Sequence, residues 1–269
     1  MAGPGARRDS GRVRRWWLEM AGLVLPADCA GCGRARTVLC GACRARLYGH
    51  APCRVLPEPV PAGLPWVYAA APYGGCVRSA LLAHKERGAL GLAEPLGAAL
   101  AGAAGRAGAG GAGYASRGAR GPFLLVPVPS ARRAVAGRGH DPVLRIARAA
   151  TRALRGGGVP ARVAPVLRLR RAVADQSGLD ARGRLANVAG AMGVVRGGER
   201  LWRDGGVVVL VDDLMTTGAS LAEAARAVGA VGGRVAGAAV VAAASRAFEK
   251  EPELTGKARR SSEKGPDAT

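Results

Sequence analysis

VVVLVDDLMTTGAS, residues 207–220, sets five apolar residues against two adjacent aspartates and follows them with a short hydroxyl-bearing turn. LAEAARAV, residues 221–228, then carries the apolar spacing of an amphipathic helix. Buried strand, turn and helix in this order form one unit of a parallel α/β sheet. The turn holds Thr216, Thr217, Gly218, Ala219 and Ser220. Backbone N–H groups and hydroxyls at the start of a helix make a cradle for an anion, and Gly218 lets the backbone come close to it. Asp212 and Asp213 need a separate reason. One carboxylate suffices to cap a helix, and two side by side repel unless a cation or hydroxyl groups meet them. The acidic motif of an NTPase would need a partner G-x-x-x-x-G-K-[ST] loop, and no lysine in this chain is followed by Ser or Thr. A sugar phosphate satisfies the whole stretch, with vicinal hydroxyls for the acids and a phosphate for the cradle.

Outward from this stretch, apolar runs at 66–73, 123–129 and 234–245 read as strands, and ARVAPVLRLRR at 161–171 reads as another. Helical patterns run over 77–88, 92–104 and 140–155, the last opening near an Asp-Pro pair. AGAGGAG at 107–113 reads as a flexible loop, and 171–187 is too polar for a core. Alternating strands and helices predict a mostly parallel α/β sheet covered on both faces, with its ligand at the carboxyl ends of the strands, where Asp212 and Asp213 fall. The expected division is a disordered basic arm at 1–15, a cysteine-bearing module at 16–56 that opens with a short helix at 15–25, a Pro-rich linker at 57–65, the α/β domain at 66–248 and a disordered tail at 249–269.

The 269 residues are 49% apolar but only 4% aromatic, so the core must be built mostly of Val, Leu and Ala. No apolar run reaches the length of a membrane span and no signal-type segment opens the chain, so a cytoplasmic protein is expected. The formal net charge is +21, nearly all of it arginine. Such a surface attracts polyanions and phosphorylated small molecules.

Cys29-x2-Cys32 and Cys40-x2-Cys43 are two CxxC pairs separated by seven residues, each with glycine in or beside its turn. Two such turns present four thiolates to one metal, and a reducing compartment disfavours disulfides. The expected occupant is a structural Zn²⁺ with all four ligand positions filled. Cys53 and Cys76 remain as buried or free thiols.

VVLVDDLMTTGAS resembles the phosphoribosyl pyrophosphate (PRPP) motif of type I phosphoribosyltransferases. LLVPVPSARRAVAGRGHDPVLRIARA and RLRRAVADQSGLDARGRLANVAGAMGV, with cysteines ahead of them, resemble successive segments of the competence-associated ComF family. The resemblance covers residues 16–245. It implies the type I phosphoribosyltransferase fold behind a small zinc knuckle, and PRPP bound with Mg²⁺. Asp212 and Asp213 would hold the ribose hydroxyls, residues 216–220 the 5′-phosphate, and Arg132 and Arg133, after the turn that begins at Pro127, the pyrophosphate. Arg168, Arg171, Gln176, Arg182, Arg184 and Asn187 would form a mobile lid. Where the family has an RGFNQ-like element this chain has RGHDP, residues 138–142. His140 is read as a residue at the start of a helix, and Lys85 matches a family lysine with no role assigned. The activity implied is transfer of a phosphoribosyl group, with pyrophosphate release, to an acceptor the sequence does not reveal. Two other readings stand beside it. One is a non-catalytic sensor of PRPP or a nucleotide that holds single-stranded DNA for DNA-uptake proteins, with Trp16, Trp17 and Trp66 as stacking surfaces. The other is a purely structural partner.

Overall fold

The computed structural model describes residues 28–110, 121–171, 181–203 and 205–248. The expected N-terminal arm and first helix, the tail from 249 onward, Gln176, Trp16 and Trp17 lie outside them.

The chain folds as an α/β protein around a mostly parallel six-stranded sheet. The strands are β1 (Cys53–Val55), β2 (Val67–Pro72), β3 (Phe123–Pro127), β4 (Ala161–Val163), β7 (Val207–Met215) and β8 (Val235–Ala243), in the order β1-β2-β8-β7-β3-β4. All neighbours are parallel except β1, which pairs antiparallel with β2. A second, two-stranded antiparallel sheet joins β5 (Leu167–Leu169) to β6 (Met192–Val194). The helices are α1 (Gly41–Tyr48), α2 (Gly75–Glu86), α3 (Ala93–Gly110), α4 (Arg132–Arg138), α5 (Pro142–Gly156), α6 (Ala181–Val188), α7 (Arg200–Arg203) and α8 (Ala219–Gly229).

The two faces of the large sheet are covered by different helices. Val209 and Val211 of β7 pack with Leu81 of α2, Leu96 and Leu100 of α3, and Ile146 and Leu154 of α5. Val208 and Leu210 pack on the other side with Leu221, Ala224 and Val228 of α8 and with Met192 and Val194 of β6. Alternate residues of one strand therefore enter two cores, as the period of a pleated strand demands. The largest fully buried side chains are mostly leucine, as the scarcity of aromatics requires.

Small residues let these layers approach. A Cβ on Gly108 would stand 2.5 Å from the Phe123 ring, and one on Gly237 would stand 2.8 Å from the Ala107 carbonyl oxygen. This corrects the reading of 107–113 as a loop. Through Gly110 the segment is helix, and Gly108 within it answers to close packing on Phe123 of the sheet; 111–113 lie outside the described residues. The run 161–171 likewise divides in two. Ala164 N–H makes the last bond to β3, at Leu125 O, and Pro165 offers no donor to continue. The chain then leaves for the second sheet as β5.

The cysteine-bearing segment is continuous with this core. Leu39, Leu47 and Cys43 are buried among the same residues as Tyr68, Leu92 and Leu100, and Cys53 pairs with Ala69.

α8 is fastened to β6 by a buried carboxylate. Glu223 is 5% exposed and accepts from Met192 N–H at 2.9 Å and from Arg226 Nε at 2.7 Å. Burial alone would raise its pKa, but the Arg226 guanidinium and backbone N–H groups outweigh this and hold it below the ordinary carboxylate value. A depressed folded-state pKa adds stability above the unfolded pKa that is lost as pH falls through the folded one. Glu223→Ala strands the buried Met192 N–H and should cost about 1–3 kcal/mol at neutral pH. In urea melts the gap between variant and wild type should narrow as pH falls below the carboxylate range.

Candidate functional site

The strand carrying the aspartates is longer than its apolar run. The sequence places Asp212 and Asp213 just after a strand ending at Val211. The structure continues β7 to Met215, because β8 is equally long and pairs with it as far as Met215 opposite Ala243. Both acids thus lie inside the last rungs of a central strand, at the carboxyl edge of the sheet. β3 ends beside them, with Pro127 opposite Val211 and Val128 N–H bonded to Val211 O at 2.9 Å.

The two carboxylates solve their repulsion differently. Asp213 is 5% exposed and its Oδ2 lies 2.9 Å from Lys85 Nζ, at the end of α2. Burial acts to lower the Lys85 pKa, but the facing Asp213 outweighs it and the ammonium is held above its usual value. Asp212 turns back and accepts the Asp213 N–H at 2.8 Å. Burial, and then the neighbouring Asp213 carboxylate, push the Asp212 pKa well above the ordinary range. The pair therefore combines one ion pair with one carboxyl group whose pKa is raised.

The turn after β7 spans Thr216, Thr217 and Gly218, and Ala219 and Ser220 are the first residues of α8. Gly218 has φ +73°, the left-handed conformation that favours glycine. It is also pressed from outside, since a Cβ there would meet Leu64 at 3.1 Å and Pro57 at 3.3 Å. The Pro-rich segment thus leans on the turn that opens α8, a contact that nothing in its composition signalled. Thr217 is buried and Thr216 and Ser220 are half-buried.

The remaining expected residues are more scattered. Arg132 and Arg133 open α4 and are exposed; the structure forms helix where the sequence suggested only a turn and a basic stretch. Of the expected lid, Arg168 lies in β5, Arg171 donates to Ala189 O at 2.8 Å, and Arg182, Arg184 and Asn187 ride on α6. RGHDP joins α4 to α5. Gly139 ends α4 at φ +73°, Asp141 caps α5 by accepting from Leu144 N–H at 3.0 Å, and Pro142 occupies its first turn. Asp and Pro suit those two positions, which accounts locally for the departure from Asn-Gln.

The four cysteines converge. Their Sγ atoms all lie within 4.8 Å of one another, with Cys32 and Cys40 at 3.6 Å. A tetrahedral ion about 2.3 Å from each sulfur would space them about 3.8 Å apart. Cys40 N–H donates to Cys29 Sγ at 3.3 Å. Burial acts to raise the Cys29 thiol, but the backbone N–H groups of Cys40, Cys32 and Gly31 bring it down to about 6. Burial and the neighbouring thiols push Cys43 up. The set is consistent with a zinc site whose four ligand positions are filled by protein, which leaves no open position for catalysis. Gly31 packs between Cys43 and Cys76, where a Cβ would stand 2.7 Å from Cys43 Sγ and 2.9 Å from Cys76 Cβ. Cys53 is exposed and Cys76 half-buried; both are free.

Residues 177–260 match the sequence model of the family described as phosphoribosyl transferase domain. The matched stretch is under a third of the chain and contains both aspartates, the turn at 216–218 and β6 to β8. The protein therefore contains a phosphoribosyltransferase domain. No curated protein matches the chain. No helix among the described residues is long and apolar enough to cross a membrane.

Sequence reasoning missed the Lys85–Asp213 pair and the Glu223 anchor. One signal was present for the first: Lys85 is one of only four lysines among 40 basic residues, and it ends an amphipathic helix.

The cluster should take up one zinc ion per chain, measured by metal analysis of purified protein. Replacement by Co²⁺ should give the visible absorption of a tetrahedral thiolate site, and Cys29→Ser/Cys32→Ser should abolish it and lower the melting temperature.

Proposed function

We propose that the chain binds PRPP as its Mg²⁺ complex and, as a phosphoribosyltransferase of ComF type, transfers the phosphoribosyl group to an acceptor with release of pyrophosphate. The observation that carries this reading is the sequence of groups along 212–220. Two acids at the carboxyl edge of a central parallel strand run directly into a left-handed glycine turn at the start of α8, within the stretch matched to the phosphoribosyltransferase family. The cysteine cluster ahead of the sheet supports the ComF resemblance.

In this reading Asp212 and Asp213 accept hydrogen bonds from the vicinal ribose hydroxyls, and Thr216, Thr217, Gly218, Ala219 and Ser220 surround the 5′-phosphate with N–H and hydroxyl donors. Mg²⁺ supplies charge neutralisation for the departing pyrophosphate. Arg132 and Arg133, exposed beside the carboxyl end of β3, offer guanidinium forks to the same group. The protein's work is positional and electrostatic. It holds the anomeric carbon in place and stabilises the leaving charge while the bond to pyrophosphate breaks.

The reading as a DNA-holding module draws on the net charge of +21 and on three tryptophans as stacking surfaces. Trp66, the one described tryptophan of the three named for stacking, already carries the Arg54 guanidinium 4.5 Å from its ring centroid.

Calorimetric titration of PRPP with Mg²⁺ should show saturable binding that Asp212→Asn/Asp213→Asn loses while its melting temperature stays within a few degrees of wild type. Absence of binding by wild-type protein at millimolar ligand would overturn the reading.

A further inference from the structure

Lys85 is the one lysine among the described residues; it lies outside the stretch 177–260 matched to the family model, and the resemblance that pairs it with a family lysine assigns it no role. Its Nζ is 2.9 Å from Asp213 Oδ2, yet its side chain is 35% exposed where that of Asp213 is 7% exposed. The ammonium covers the carboxylate on one side and faces solvent on the other.

Its direction of approach matters. α2 packs on the sheet face that also carries α3 and α5, while α8, whose start forms the anion cradle, packs on the opposite face. Asp213 therefore stands between the cradle and a cation delivered from the other helical layer. PRPP has the same order of groups: the diol on C2 and C3 of the ribose lies between C4, which bears the 5′-phosphate arm, and C1, which bears the pyrophosphate. With the diol on the acids and the 5′-phosphate at α8, the pyrophosphate would point toward the α2 side.

The end of α2 is built to hold that cation in place. Glu86, the residue after Lys85, receives two hydrogen bonds from Arg138, at 2.9 and 2.8 Å. His84, the residue before it, is 1% exposed, and its carbonyl oxygen lies 3.1 Å from His140 Nε2. Both tethers come from the RGHDP element. The neighbours of Lys85 are pinned and Lys85 itself is aimed at the site.

We propose that Lys85 is a substrate-binding residue that exchanges its partner: it pairs with Asp213 in the free protein and with the pyrophosphate oxygens of PRPP in the complex, freeing Asp213 to accept from the ribose. Arg138 and His140 act as positioning residues for it. This rests on the PRPP reading above and adds to it a specificity for the 1-pyrophosphate.

The test compares Mg²⁺-PRPP with ribose 5-phosphate, which has the diol and the 5′-phosphate but no pyrophosphate, by calorimetry on wild type, Lys85→Gln and Lys85→Arg. Loss of one charge-assisted contact should weaken PRPP on the order of tenfold to a hundredfold in Lys85→Gln and leave ribose 5-phosphate nearly unchanged, with most of the loss restored in Lys85→Arg. Equal loss of both ligands, or no loss of either, overturns the proposal. A second measurement needs no variant. Labelling of Lys85 by an amine-reactive reagent, followed by mass spectrometry, should be suppressed by Mg²⁺-PRPP and far less by ribose 5-phosphate, and equal suppression overturns it as well. Wild-type protein that binds neither ligand defeats the PRPP reading itself. Wild-type protein that binds PRPP no better than Lys85→Gln leaves that reading intact and removes Lys85 from it.

Discussion

β7 is bonded along both edges and covered on both faces, and the other elements take their places from it. Its pairing with β8 persists through Met215, four residues beyond the apolar run, so two carboxylates are carried to the carboxyl edge on a backbone held by its neighbours. A strand bonded through Met215 holds both acids in place: Asp213 meets an ammonium, and burial beside that carboxylate pushes the Asp212 pKa upward. Unlike charges and a perturbed carboxyl group are thereby gathered at one edge of the sheet.

The poverty in aromatics shapes the packing around that strand. With alanine and glycine in place of bulky side chains, helices settle close against the sheet, and many glycines here are spacers. Gly108 makes room for Phe123 and Gly237 for the α3 backbone. Close approach of flat surfaces maintains interior density without large residues. It also makes such positions intolerant of any side chain, although an Ala- and Gly-rich composition would suggest the opposite.

α2 connects two parts of the molecule that look independent along the chain. Cys76, near its start, lies against the cysteine cluster, and Lys85, near its end, meets the acids of β7. The cysteine segment shares the core of the α/β domain rather than sitting apart from it. A metal held there would stiffen the layer from which Lys85 is presented.

The sequence by itself determined the alternation of strands and helices, the two-faced sheet, the succession of strand, acids, turn and helix along 207–229 and the convergence of two CxxC pairs. Each of these is a local pattern: a period of two or 3.6, a turn residue at a fixed offset, a pair of thiols in one tight bend. Only the tertiary structure decided how far β7 runs, since its length is set by the partner strand β8. The same holds for the division of 161–171 between two sheets, because the second half finds its partner some 25 residues later in β6. It holds as well for the partner of Asp213. Lys85 is 128 residues away in the chain, and nothing near either residue announces the other. That meeting arises because β2 and β7 are held in one sheet with α2 across its face, and only the assembled layers bring an ammonium from one end of the sequence to a carboxylate near the other.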